Sequence, residues 1–300
     1  MTFRSLFSSM LLGLCLVAST NAFAEDVTLK HGDVNLHAEL RLADGKTVAD
    51  GVIVMLHGTL AHNRMEIMRS MQNVMADRGY SSLAVNLGYN ISDREGMMDC
   101  AALHTHRHED AATEVGLWVD WLKGQGAERI ALLGHSRGGN QIAQYVTGNP
   151  DATAGMPVIL MAPATYDAEK EAASYEKSYG EPLEPVVERA RELVLAGKGD
   201  EPIKGIGFVY CENATATAEA VASYYDPQGK DTPTLIAEMD RPVLVFGASA
   251  DTAVPDLIEK MEPIADGERV RLEVMDGADH FFRDLWAEDV ADVIDEYLAW

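Results

Sequence analysis

One serine in this chain stands between glycines at a spacing suited to nucleophilic chemistry, Gly134-His135-Ser136-Arg137-Gly138. It follows the apolar run Ile130–Leu133 and precedes a segment of helical periodicity over 138–147, so it falls on a strand-to-helix turn. There the glycines leave room for a tight reversal and the serine is lifted out at the carboxyl end of its strand. A serine hydroxyl is a weak nucleophile near neutral pH. It needs a base within hydrogen-bond reach, and that base needs a carboxylate to orient it.

Of nine histidines, His280 is the best placed, because it follows the apolar run Val270–Val274 through the short loop Met275-Asp-Gly-Ala-Asp-His280. Asp251 follows the run Val243–Phe246 in the same way, within Gly247-Ala-Ser-Ala-Asp251-Thr-Ala-Val254-Pro255. An Asp at that point is also a favoured helix cap, so a capping role is the competing reading of Asp251. Asp279 reads as a solvating loop residue, and Asp226, Asp231 and Asp240 are weaker alternatives for the acid. Acyl transfer also requires N–H donors aimed at a tetrahedral oxyanion. The Arg137 amide, next after the serine, is one; the other is expected from Leu56-His57-Gly58-Thr59-Leu60, with Thr59 preferred and Leu60 second. His57 then shapes the loop and is not a base.

These residues need a scaffold. Apolar runs at 52–56, 82–87, 130–133, 158–161, 243–246 and 270–274 alternate with helical patterns near 64–78, 107–123, 138–147, 254–265 and 284–299. Such alternation implies an α/β fold with a mostly parallel, doubly wound sheet. Residues 27–42 alternate polar and apolar around His31-Gly32-Asp33, as an antiparallel edge hairpin does. The rhythm breaks from about 165 to 240, where helical stretches near 167–178 and 182–196 suggest a helical insertion over one end of the sheet.

The ordered set His57-Gly58, Gly134-His-Ser136-Arg-Gly138, Gly247-x-x-x-Asp251 and Ala278-Asp-His280 resembles the α/β-hydrolase superfamily from about residue 51 to 300. The resemblance implies an eight-stranded sheet, a lid inserted after the sixth strand at about 165–240, and a Ser136-Asp251-His280 triad that cleaves through an acyl-enzyme. A carboxylic ester is the leading substrate, with amides, peptides and thioesters as alternatives for the same triad. A non-catalytic binding protein on this fold is the alternative from another class. Relatives that open epoxides or remove halide carry Asp at the nucleophile position and dienelactone hydrolases carry Cys, so Ser136 disfavours both. Arg137 departs from many lipases, which have a smaller or apolar residue there.

Composition narrows the partners. The 300 residues carry 24 Lys+Arg against 48 Asp+Glu, a formal charge of −24, which disfavours phosphate backbones and anionic membrane surfaces. A small acyl substrate is the expected partner, with no cofactor, no nucleic acid and no stable membrane anchor. Residues 1–24 carry Arg4, an apolar run over 6–18 and an Ala22-Phe23-Ala24 end, the pattern of a signal peptide cut near Ala24. That predicts a periplasmic or secreted chain of residues 25–300 with charge −25, in which Cys100 and Cys211 permit one disulfide. The alternating His104, His106 and His108 hint at a metal cluster, but the segment is read as a polar loop edging the active-site mouth, with no metal. Tyr175, Tyr179, Tyr210, Tyr224 and Tyr225 are expected either to line a substrate pocket or to pack the insertion's helices.

Overall fold

A computed structural model describes residues 24–225 and 231–300. The leader expected over 1–24 lies outside the described residues except for Ala24, the first residue of strand β1 (Ala24–His31). The elements that follow are β2 (Val34–Arg41), β3 (Val52–Leu56), α1 (Glu66–Asp77), β4 (Ser81–Asn86), β5 (Leu103–His104), α2 (Asp110–Gly124), β6 (Ile130–His135), α3 (Arg137–Gly148) and β7 (Val158–Met161). Then come α4 (Ala168–Tyr179), α5 (Glu184–Leu195), β8 (Pro202–Phe208), β9 (Cys211–Thr217), α6 (Ala218–Tyr225) and α7 (Thr232–Glu238). The chain closes with β10 (Val243–Ala248), α8 (Leu257–Met261), β11 (Val270–Met275) and α9 (Leu285–Leu298).

Eight strands form the main sheet in the order β1-β2-β4-β3-β6-β7-β10-β11. β1, β2 and β4 pair antiparallel along one edge, and every pair from β4 to β11 is parallel. The sequence pattern follows from this burial. Successive side chains of a strand point to opposite faces, so in β3 Val52, Val54 and Leu56 join one apolar cluster with Trp118 of α2 and Ile142 of α3. Ile53 and Met55 of the same strand join the other, with Met68 of α1 and Ile294 of α9. A strand covered on both faces has no polar side to show, hence the uninterrupted apolar runs.

The segment between β7 and β10 is inserted after the sixth strand of this sheet and is not wholly helical. Besides its helices it holds the β8–β9 hairpin, whose β9 pairs in parallel with β5 to make a separate three-stranded sheet. The helix expected over 254–265 is also shorter: α8 stops at Met261, two residues before Pro263, which has no N–H to continue the ladder. Among the described residues, no helix is long and apolar enough to cross a membrane.

Candidate active site

The carboxyl ends of the parallel strands all open on one edge of the sheet, and the loops leaving β3, β6, β10 and β11 meet there. Ser136 sits between β6 and α3 with φ 56° and ψ −126°, a strained conformation for a residue with a side chain. Its neighbours hold it there. The Ser136 amide donates to Met161 O at 2.9 Å, while its carbonyl accepts from Gly139 N at 3.0 Å and Ala164 N at 2.9 Å. The flanking glycines are required by space: a Cβ on Gly134 would stand 2.5 Å from Gly138 O, and one on Gly138 would stand 2.2 Å from His57 O.

His280 and Asp251 arrive on the loops after β11 and β10. His280 Nδ1–H donates to Asp251 Oδ2 at 2.7 Å, and both side chains are buried. Asp251 Oδ1 accepts the Ala253 amide at 2.7 Å and the Val254 amide at 3.0 Å. Asp251 is not a helix cap, since α8 begins at Leu257 behind Asp256; one of its oxygens holds the turn at 253–254 and the other holds the histidine. Burial pushes the Asp251 carboxyl up, but the hydrogen bonds from His280 and the Val254 and Ala253 amides outweigh it and hold the group below its ordinary value. A buried ring next to Ser136 steadies the histidine's backbone, since His135 Nε2–H donates to His280 O at 2.8 Å. Burial, reinforced by the nearby His280, draws the His135 pKa down to about 3, so that ring is a neutral strut. Ser136 and His280 open onto one cavity of about 280 Å³, walled by Met65, Ile67, Met97 and Phe281.

Gly58 and Thr59 line that cavity as well. Their loop is set by His57, which is wholly buried: its Nδ1–H donates to Gly58 O at 2.8 Å, and its Nε2 accepts the Leu87 amide at 3.1 Å. Burial, with Arg94 adding to it, lowers the His57 pKa to about 3, which suits a loop-shaping residue. Leu60 turns the chain with φ 52°, and its carbonyl accepts the Met98 amide at 2.9 Å. Arg94 is the residue that sequence reasoning missed. Its buried guanidinium donates to the carbonyls of Leu87, Gly96 and Ala61 and to Asn86 Oδ1, tying this loop to the one after β4. Nothing in the local sequence marks it, because three of its five partners, His57 Nε2 being the fifth, are backbone carbonyls.

Across Ser136 lies a second cavity of about 180 Å³ lined by Thr59, Arg137 and the insertion's Tyr175, Tyr179, Tyr210, Tyr224 and Tyr225. Both expectations for those tyrosines hold together. While lining the cavity, Tyr175, Tyr225 and Tyr179 use their hydroxyls to accept the amides of Gly207, Val209 and Tyr210, so the β8–β9 turn hangs from them. Cys100 and Cys211 are bonded, with Cα atoms 5.2 Å apart.

The histidine segment is placed differently from expectation. His104, His106 and His108 do not edge a solvated mouth; all three are buried. His104 lies in β5, an edge strand of the small three-stranded sheet, and its Nδ1 meets His106 Nε2 at 3.3 Å, while His106 Nδ1 meets the Tyr224 hydroxyl at 2.9 Å. Among the described residues no three His, Cys, Asp or Glu side chains converge to hold a metal ion. The alternative acids are employed elsewhere: Asp279 accepts from Phe281 N and Arg283, and Asp231 accepts the Tyr166 amide. Asp240 is exposed, and Asp226 lies outside the described residues.

Comparison with known proteins agrees with this architecture. The model of the alpha/beta hydrolase family matches residues 53–295, and the chain belongs to that family. Among solved structures, Est1E from Butyrivibrio proteoclasticus with bound ferulic acid superposes with a TM-score of 0.65 at 15% identity, over 91% of this chain and 98% of that one. A monoacylglycerol lipase from Paleococcus ferrophilus gives 0.58 at 18% identity, over 88% and 98%. A Pyrococcus furiosus esterase gives 0.61 at 17% identity, over 93% and 91%. No curated protein sequence is significantly similar.

Proposed function

We propose that this hydrolase is an exported serine esterase that cleaves a carboxylic ester with Ser136, His280 and Asp251. The observation that carries the reading is the buried 2.7 Å His280–Asp251 pair on the same cavity as a serine held at φ 56°. Ser136 Oγ attacks the ester carbonyl as its proton passes to His280 Nε2. Asp251 stabilises the resulting imidazolium and keeps its ring oriented. The tetrahedral oxyanion accepts from the amides of Thr59 and Arg137, each such donor contributing about 3–4 kcal/mol to the barrier reduction. Collapse expels the alkoxide, which takes the proton from His280; water, deprotonated by the same ring, then attacks the acyl-enzyme and frees Ser136.

Fold-level likeness to two esterases and a monoacylglycerol lipase supports an ester over an amide. Residues 165–240 serve as the lid, supported by the insertion's share in the cavity beside Ser136. Export is supported by the leader pattern and by a disulfide, a bond that persists in oxidising compartments. The test is labelling with a fluorophosphonate probe. The expected result is one adduct per chain, on Ser136, abolished in Ser136→Ala and accompanied by loss of ester hydrolysis. Equal labelling of Ser136→Ala overturns the assignment.

A further inference from the structure

The two cavities that meet at Ser136 differ in chemistry. The one that contains His280 is walled by Met65, Ile67, Met97 and Phe281. The other lacks His280 and contains a cation, Arg137, whose side chain is separate in role from its amide. In the reaction proposed above, on which this inference rests, the leaving alkoxide must lie within reach of His280 to collect its proton. The alcohol therefore occupies the His280 cavity, and the acyl chain runs into the Arg137 cavity.

Arg137 is prepared for a ligand there. Its Nε–H donates to Thr59 Oγ1 at 3.0 Å, and its guanidinium carbon lies 5.3 Å from the centre of the Tyr224 ring. Pinned at one edge and on one face, the half-buried group has little freedom left to lose on binding. Among the described residues no carboxylate lies within 4.0 Å of it, and its side chain's one hydrogen bond is that from Nε, which leaves the two Nη nitrogens without a protein acceptor. The Nη pair forms the fork that fits a carboxylate. Among the described residues the only other charged side chain lining this cavity is Glu171, on the partly exposed α4, and it is not paired with Arg137.

We infer that the Arg137 cavity binds the free carboxylate of a short dicarboxylic half-ester, so that the preferred substrate is an alkyl monoester of such a diacid. The balance is that of ordinary hydrolysis. The Ser136 Oγ–acyl bond forms as the acyl–O(alkyl) bond breaks, the serine proton leaves with the alcohol, and water restores Ser136 and releases the diacid. The distal carboxylate takes no part beyond binding Arg137.

The test uses monomethyl succinate, glutarate and adipate beside their dimethyl esters. Binding is measured by calorimetry to Ser136→Ala, which needs no turnover. At least one half-ester is expected to bind tenfold or more tightly than its diester, and adding Arg137→Met should erase that preference while Arg137→Lys keeps part of it. In the active chain, Arg137→Met should lower the half-ester to diester ratio of kcat/KM at least tenfold. Glu171→Gln, a change at a partly exposed position, should tighten half-ester binding, because it removes the opposing charge. Equal binding of half-esters and diesters overturns the inference, as does weaker binding in Glu171→Gln, which would signify a ligand bridging both charges. Arg137-dependent binding without turnover or fluorophosphonate labelling would instead remove the esterase reading and leave the carboxylate site standing.

Discussion

His280 and Asp251 are joined through one carboxylate oxygen at 2.7 Å while the other oxygen of Asp251 holds the Ala253 and Val254 amides. The acid is thereby fixed from two directions, and the orientation of the histidine is inherited from the turn that carries its partner. Asp251→Asn keeps an acceptor for the turn but cannot hold the imidazolium, so kcat for ester hydrolysis should fall on the order of 10³–10⁴-fold with little change in stability. Asp251→Ala should add a stability loss of about 1 kcal/mol as the turn amides lose their acceptor. Retention of a tenth or more of wild-type kcat by the Asn variant would remove Asp251 from the role.

Gly58 is expected to act as a spacer for the nucleophile. A Cβ there would stand 3.1 Å from Ser136 Cβ and 3.5 Å from Ser136 Oγ. Gly58→Ala should reduce kcat/KM by about 10–100-fold through displacement of the serine, with the unfolding midpoint nearly unchanged. Wild-type kinetics in this variant would show that the loop yields freely.

Glu114 should make stability depend on pH. It is buried in α2 and accepts the Gly88 amide at 2.8 Å, and burial raises its pKa from 4.5 to about 7 in spite of that bond. Between those values the folded chain keeps a proton that the unfolded chain has released. Stability from this group is therefore complete below pH 4.5 and is lost as the pH rises through 7. Glu114→Gln, neutral throughout, should gain on the order of 2–3 kcal/mol over wild type at pH 8 relative to its standing at pH 4. Urea unfolding at the two pH values measures the difference, and parallel behaviour of the two proteins would reject it.

The Cys100–Cys211 bond closes a span of 111 residues. Alkylation of the unreduced folded protein should find no free thiol on either cysteine, and Cys100→Ser with Cys211→Ser should cost about 2–4 kcal/mol. Two alkylated thiols in protein purified under oxidising conditions would contradict the pairing.

The main sheet could be read from the sequence because burial on both faces writes itself into a strand as continuous apolar residues, and β3 and β7 begin and end where those runs do. Ser136, Asp251 and His280 were legible for a related reason: each sits within five residues of the carboxyl end of such a strand. The β8–β9 hairpin was not legible. Its register shifts between Lys204 and Ile206 and again between Ile206 and Phe208, which breaks the two-residue alternation that announces a strand. Its third strand, β5, lies about 100 residues away and is two residues long. The burial of His104, His106 and His108 depends on that distant pairing, and so does not show in the local segment.

The insertion is attached unevenly. Cys211 opens β9 and is bonded to Cys100, and β9 pairs with β5, so the hairpin side is riveted to the core. Along the opposite margin α4 is joined to the core only by non-covalent contacts such as the Lys170–Asp256 ion pair at 3.0 Å, and its exposed Ser174 and Ser178 border the Arg137 cavity. In the lid role proposed above, a cover bonded covalently along one edge opens along the other. Width of passage is then set at the α4 margin, where shortening or lengthening a side chain at 174 or 178 alters how large a molecule gets through while the chemistry at Ser136 stays as it was.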